Sequence, residues 1–193
     1  MALVPSTFIL SAGAQAPDFS LPEPKSGKQV SLAEVRGEKG TLVVFACNHC
    51  PYVVHLAKEM GEFGKEISAQ GLGMVAISSN DVENYPQDGP EKMVDFAAES
   101  GWDFPYLYDE TQEVAHAYKA ACTPDFFLFD AEGKLYYAGQ FDDSRPGSGS
   151  ASGDDLRDAV AKLLAGEDYS ESMKPATGCN IKWKSNNAPD YFG

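Results

Sequence analysis

The chain is short of several things, and each shortage excludes a class of function. Lysine and arginine number only 15 against 29 aspartates and glutamates, a formal charge of −14 over 193 residues. That is the wrong sign for neutralising a phosphate backbone or an anionic lipid surface, so nucleic acid and membrane are not expected partners, and the acidity reads as solubility. No apolar run approaches the ~20 residues that a membrane-spanning helix needs. The opening Met1 to Gly13 lacks both the basic start and the sustained apolar stretch of a secretory leader, which makes a cytoplasmic location the expectation. Four cysteines are too few for a disulfide scaffold. No internal repeat is present. At 43% hydrophobic and 23% charged residues the chain should fold around one full core, read as a single domain over 1–193 with its core at about 14–166 and a tail, 167–193, packed on it.

What the chain does have is an alternation of strand and helix patterns. The first forty residues, with Pro17, Pro22, Pro24 and Gly27, form an N-terminal extension of loop and short hairpin, since proline does not sit in a central strand. Thr41 to Ala46 is a continuous β-branched and aromatic run of the kind buried on both faces of a sheet. From Pro51 onward Val53, Leu56, Ala57, Met60, Phe63 and Ile67 recur at helical spacing, with Pro51 suited to the first turn and Gly61 and Gly64 expected to bend the helix. Leu72 to Ser78 is a second buried strand, completing an α/β unit with a right-handed crossover. A helix follows from Pro90 to about Glu99, then a short strand at Tyr106 to Tyr108. Asp109-Glu110-Thr111-Gln112 has capping-box spacing ahead of a helix to about Ala120.

Asp125 to Asp130 and Lys134 to Gln140 flank a short Gly-containing connection, an antiparallel hairpin that makes the sheet mixed. Asp142, Asp143 and Arg145 read as a local ion-pair loop, followed by a Gly/Ser-rich stretch to Gly153. A last amphipathic helix carries Leu156, Val160, Leu163 and Leu164. The remaining residues have no period, but Cys179, Ile181, Trp183, Tyr191 and Phe192 predict an ordered tail.

The chemistry concentrates where the first buried strand ends, at Cys47-Asn48-His49-Cys50-Pro51. A C-x-x-C at the opening turn of a helix faces unpaired N–H groups and the positive end of the helix dipole, which favour an anion, and the thiolate is the reactive form of cysteine. Cys47, farther out, is expected to be the nucleophile and Cys50 to resolve. His49 is placed to bring a donor or positive charge near the Cys47 sulfur, making the couple more oxidising. His55 and His116 read as plain surface or packed histidines. A second element, Cys122-Thr123-Pro124, stands just before the Asp125 strand.

Several segments together resemble the peroxiredoxin-like, C-x-x-C-containing branch of the AhpC/TSA thioredoxin-fold superfamily. They are Ala16-Pro17-Asp18-Phe19, Cys47-Asn48-His49-Cys50-Pro51-Tyr52-Val53, Ser79-Asn80-Asp81-Val82-Glu83-Asn84-Tyr85-Pro86, Phe104-Pro105-Tyr106-Leu107-Tyr108-Asp109, Thr123-Pro124-Asp125-Phe126-Phe127-Leu128-Phe129-Asp130 and Gly178-Cys179-Asn180-Ile181-Lys182-Trp183-Lys184. The resemblance implies a thioredoxin-like fold with a central mixed β-sheet flanked by α-helices. It also implies a cis-proline at Pro124, with Thr123 and Pro124 holding a partner's backbone. In peroxiredoxins the peroxidatic cysteine stands in a P-x-x-x-T-x-x-C motif at the place of Cys50. Here Val43 and Cys47 replace the Pro and Thr, so a thiol able to trap Cys50 as a disulfide takes the place of a hydroxyl.

The expected function is therefore thiol-disulfide oxidoreductase, with a protein thiol or disulfide or a small thiol as partner and no organic cofactor. One alternative is a hydroperoxide reductase with Cys50 peroxidatic. Another is a copper or zinc module using Cys47, Cys50 and either His49 or Cys179. Cys122 and Cys179 remain auxiliary thiols: Cys122 a small buried residue near the C-x-x-C, Cys179 either packed beside Trp183 or reaching the site if the tail folds over it.

Overall fold

The computed structural model describes residues 3–169 and 173–191, so Phe192 lies outside the described residues. In chain order the elements are β1 (Leu3–Pro5), β2 (Ser20–Glu23), β3 (Lys28–Ser31), α1 (Leu32–Val35), β4 (Gly40–Phe45), α2 (Pro51–Ala69), β5 (Leu72–Ser78), a 3-10 turn (Pro86–Asp88), α3 (Pro90–Ser100), β6 (Tyr106–Tyr108), α4 (Glu113–Tyr118), β7 (Cys122–Thr123), β8 (Asp125–Asp130), β9 (Leu135–Gly139), α5 (Asp154–Ala165) and β10 (Thr177–Asn180). The main sheet runs β6-β5-β4-β8-β9, with β4, β5 and β6 parallel and β8 and β9 antiparallel to their neighbours. It is the expected mixed sheet.

Its central strand shows why the sequence folds this way. Every residue of β4 is buried, and successive side chains point to opposite faces. Leu42 and Val44 pack with Leu56, Met60 and Phe63 of α2, Met93 of α3 and Leu156 of α5. Val43 and Phe45 pack with Leu32 and Val35 of α1 and Val114 and Tyr118 of α4. Helices thus cover both faces, and each fully buried aliphatic or aromatic side chain contributes roughly 1.5–3 kcal/mol.

Two expectations change on inspection, and the role of two glycines becomes visible. Gly61 and Gly64 lie inside the continuous α2; a Cβ at Gly61 would lie 2.6 Å from the Ser100 carbonyl oxygen, and one at Gly64 would strike Phe104, so these glycines admit close neighbours. The capping box at Asp109 is not formed, because Asp109 is buried and instead accepts from Ser79 Oγ (2.8 Å) and the Ala115 N–H (3.0 Å). A capping box does form at Ser31 and Glu34, ahead of α1. The 142–145 loop is not a local ion-pair cluster: Asp142 accepts the backbone N–H groups of Ser144, Ser152 and Gly153, Arg145 donates to the Asp142 and Ser144 carbonyls and to Gln140, and Asp143 pairs with Lys174 in the tail.

The largest departure is a second, three-stranded sheet, β1-β10-β7, which joins the two ends of the chain to the segment before Pro124. Leu3 pairs with Cys179, and Cys179 with Thr123. Pro5 is tolerated in β1 because that strand lies at an edge. Among the described residues no helix is long and apolar enough to cross a membrane.

Candidate redox site

Cys47 lies just past the C-terminal end of β4, and Cys50 is the N-cap of α2, with Pro51 at the first helical position and the Val54 N–H closing the first turn onto the Cys50 carbonyl at 2.9 Å. The Thr123–Pro124 peptide bond is cis and brings Thr123 to both sulfurs. Cys47 Sγ lies 3.3 Å from Thr123 Oγ1, and the Cys50 thiol donates to the Thr123 carbonyl at 3.0 Å. All four cysteines are in the reduced form, none joined in a disulfide.

The two sulfurs differ in charge preference. Cys50 is pulled down to about 5, chiefly by the hydrogen bond from the Cys47 thiol, with the Cys179 thiol and the backbone N–H groups of Val53 and Cys179 adding to it against the cost of burial. The Thr123 carbonyl opposes this by accepting from the thiol form. Cys47 is pushed well up by its hydrogen bond to Cys50, by burial and by the Asp88 carboxylate. Nor is Cys47 the outer sulfur: the two residues are 1% and 0% exposed. Ionisation therefore favours Cys50, the sulfur at the helix terminus.

His49 does come near the Cys47 sulfur, a ring nitrogen lying within 4.8 Å of it, and is shared with Asp88. Its Nδ1 lies 2.6 Å from Asp88 Oδ2, and its ring stacks on Tyr85 at 5.8 Å. Asp88, fully buried in the 3-10 turn, also accepts the backbone N–H groups of Asn48 (2.9 Å) and His49 (3.2 Å) and the Asn80 side chain (2.8 Å). The C-x-x-C loop is thus held from a remote segment by a carboxylate that disfavours charge on Cys47. Tyr106 completes the wall, donating to Asn48 Oδ1 at 3.0 Å. Burial, and then the proximity of Cys47 and Asp88, push its phenol well above its ordinary value.

The tail does fold over the site. Cys179 packs with Cys47 and Cys50, whereas Trp183 belongs to the core on the other face of the sheet and packs on His116 at 4.7 Å. Thr123 cannot offer a partner the edge taken by β10, which pairs with it in the register Cys179–Thr123 and Asn180–Cys122; the chain's own backbone is already there. Cys122 is wholly buried, its thiol facing the Pro124 carbonyl at 3.4 Å, and burial pushes it well up, so it is inert packing. As to metal, the side chains that converge are Cys47, His49 and Asp88, with ligand atoms all within 4.8 Å of one another, and not the expected set with Cys50 or Cys179. An ion there would have to replace the His49–Asp88 hydrogen bond.

Asp88 and Tyr106 were not among the expected site residues. Asn80 and Tyr106 fall in segments that carry the family resemblance, but Asp88 lies in a Pro-Gln-Asp turn that looks like any surface turn.

Residues 12–138 match the AhpC/TSA family. The chain belongs to that family. A Mycobacterium tuberculosis protein named as a peroxiredoxin is 32% identical over 111 residues, which are 58% of this chain and 65% of that one, so the match spans just under two thirds of that relative's length. The solved structure of an uncharacterised conserved protein from Geobacillus kaustophilus is 48% identical with a TM-score of 0.91, covering 95% of this chain and 97% of that one. The thioredoxin domain of a Bacteroides vulgatus thiol-disulfide oxidoreductase, at 22% identity and a TM-score of 0.63 over 80% of this chain and 99% of that one, shares the fold. This AhpC/TSA protein therefore has a thioredoxin-like fold.

Proposed function

We propose that this protein is a thiol-disulfide oxidoreductase in which Cys47 and Cys50 cycle between dithiol and disulfide, with Cys50 attacking and Cys47 resolving. The observation that carries the reading is the convergence of both sulfurs on Thr123 at the start of α2, Cys47 Sγ at 3.3 Å from its hydroxyl and Cys50 Sγ at 3.0 Å from its carbonyl, with Cys50 drawn below the ordinary thiol range. The Cys50 thiolate attacks one sulfur of a partner disulfide, forming a mixed disulfide and releasing one partner thiolate. Cys47 then loses its proton and attacks Cys50, closing the Cys47–Cys50 disulfide and releasing the second partner thiol. The partner gains two electrons and the protein loses two. No organic cofactor enters, and a reducing cytoplasmic glutathione pool is the electron source that this reading implies.

The burial of both sulfurs favours a second reading, in which the substrate is small. In a hydroperoxide reductase Cys50 takes one oxygen to become a sulfenic acid, releasing an alcohol or water, and Cys47 condenses with it to the disulfide, releasing water. Mixing the reduced protein with glutathione disulfide or with hydrogen peroxide separates the two. The first reading expects fast exchange with the disulfide, lost at least about a hundredfold in Cys50→Ser and passing through a mixed disulfide on Cys50 that Cys47 no longer resolves in Cys47→Ser. Rapid, saturable peroxide consumption with sluggish disulfide exchange would establish the second. Stoichiometric zinc or copper in freshly purified protein, removable by chelator, would contradict both.

A further inference from the structure

The tail strand brings a third sulfur to the redox centre, and the clamps around it fix where that sulfur stands. Cys179 sits opposite Thr123 in the antiparallel ladder. The Thr123 carbonyl is the group that Cys50 Sγ meets at 3.0 Å, and the Thr123 hydroxyl reaches the Cys179 carbonyl at 3.5 Å. On the N-terminal side of Cys179, Gly178 passes so close to β7 that a Cβ there would lie 2.0 Å from the Thr123 oxygen. The Ser6 N–H bonds the Ala176 carbonyl at 2.8 Å just before it. On the C-terminal side the Ile181 N–H bonds the Ala121 carbonyl at 3.1 Å, and the Lys182 N–H bonds Asn80 Oδ1 at 2.8 Å. Asn80 donates its other end to Asp88, the residue that holds the C-x-x-C loop, so one side chain ties the register of the tail to the position of Cys47 and Cys50.

We propose that Cys179 is a third redox sulfur of this centre, attacking Cys50 in the Cys47–Cys50 disulfide and moving the bond onto the tail as Cys50–Cys179. The proposal rests on the Cys47–Cys50 couple put forward above. In the step, the Cys179 thiol loses its proton, its sulfur forms the new bond to Cys50 Sγ, the Cys47–Cys50 bond breaks, and the electron pair leaves on Cys47, which takes up a proton. One disulfide is exchanged for another, with no external oxidant or reductant.

The electrostatics agree with such a relay. Burial, and then hydrogen bonding and proximity to the ionised Cys50, push Cys179 up to about 12 in the reduced centre. Once Cys50 is in a disulfide the last two influences vanish, and Cys179 becomes easier to ionise when its attack is called for. With Cys47 also pushed up, the two sulfurs that flank Cys50 are both protonated at neutral pH. Geometry, rather than acidity, then decides which of them holds Cys50. The tail also supplies what an incoming peptide would have to supply, a backbone in antiparallel register with β7 and a sulfur beside Cys50. The chain thus carries its own tethered thiol substrate, and the bond it accepts lies between α2 and β10.

The test uses the full-length chain equilibrated in glutathione disulfide, quenched with acid, digested without reduction and mapped by mass spectrometry. Cys47 and Cys50 share a tryptic peptide, so their disulfide is an internal loop, whereas Cys50–Cys179 links two peptides. The expected result in wild type is both species. In Cys47→Ser the expected result is a Cys50–glutathione adduct that decays into the Cys50–Cys179 link at least about tenfold faster than in Cys47→Ser/Cys179→Ser. An adduct equally long-lived in both variants, or wild-type protein with only the internal loop at every glutathione ratio, overturns the proposal while leaving the Cys47–Cys50 reading intact. A Cys50 that forms neither adduct nor link defeats both.

Discussion

The five-stranded sheet is held mainly by apolar side chains, while the three-stranded sheet is held mainly by backbone pairing and polar clamps. In the former, Val44 and Phe126 are wholly buried, and Phe126 stacks on Phe141 at 5.5 Å. In the latter, Leu3 is 57% exposed, and β10 is fixed by its pairing with β1 and β7, by Ser6 and, just beyond it, by Asn80. Regions with few buried apolar contacts open at lower free energy than a packed core. The contrast suits the proposed chemistry: the sheet that aims Cys47 and Cys50 is the heavily packed one, and the strand that covers them is the more lightly held.

This contrast can be broken or sharpened by substitution. Phe126→Ala, in the large sheet, should cost about 3–5 kcal/mol in a urea melt, and a cost near that of a surface residue would show the central core to be misassigned. Asp125, at the joint between the sheets, accepts from Ser6 Oγ at 2.8 Å, and burial pushes its carboxyl up to about 7. Because the folded state holds that proton more tightly than the unfolded one, the resulting stabilisation is fully present below about pH 4 and is lost as pH rises through about 7, on the order of 4 kcal/mol in all. Asp125→Asn should flatten that part of the pH profile; identical slopes in wild type and variant would show that this carboxyl does not titrate in the window.

Smaller effects separate the sheets directly. A Cβ at Gly73, in β5, would lie 1.8 Å from the Val35 oxygen, so Gly73→Ala should lower global stability by about 3 kcal/mol. Gly178→Ala meets an equally close oxygen but should chiefly undock β10. Amide exchange at Cys179 and Ile181 should rise by orders of magnitude while amides in β4 keep their protection. Equal loss of protection in both sheets would mean that the tail is integral to the core and cannot act as a movable cover.

What was legible in the sequence follows the same division. The runs Thr41 to Ala46 and Leu72 to Ser78 and the helical recurrence from Val53 to Ile67 arise from the local geometry of strand and helix, so they show in a single chain. The C-x-x-C and Thr123-Pro124 were legible as motifs. The sheet β1-β10-β7 was not, because Leu3-Val4-Pro5 and Thr177-Gly178-Cys179-Asn180 carry no period and pair across almost the whole chain. What weighs against Cys47 as the ionised sulfur was hidden for a related reason. Order along the loop suggested exposure, but burial and the carboxylate of Asp88, delivered from a turn some forty residues on, act against it, while the helix terminus and two neighbouring thiols favour Cys50.

The most direct test of that central assignment is a brief iodoacetamide pulse on the reduced full-length protein across pH 4–9, with Cys47 and Cys50 resolved by fragmentation of their shared peptide. Cys50 should be modified first, with its rate rising through the region of pH 5, while Cys47 should remain unmodified to the alkaline end of the range. Cys47 reacting ahead of Cys50, or both responding together near the pH of a free thiol, would contradict the account.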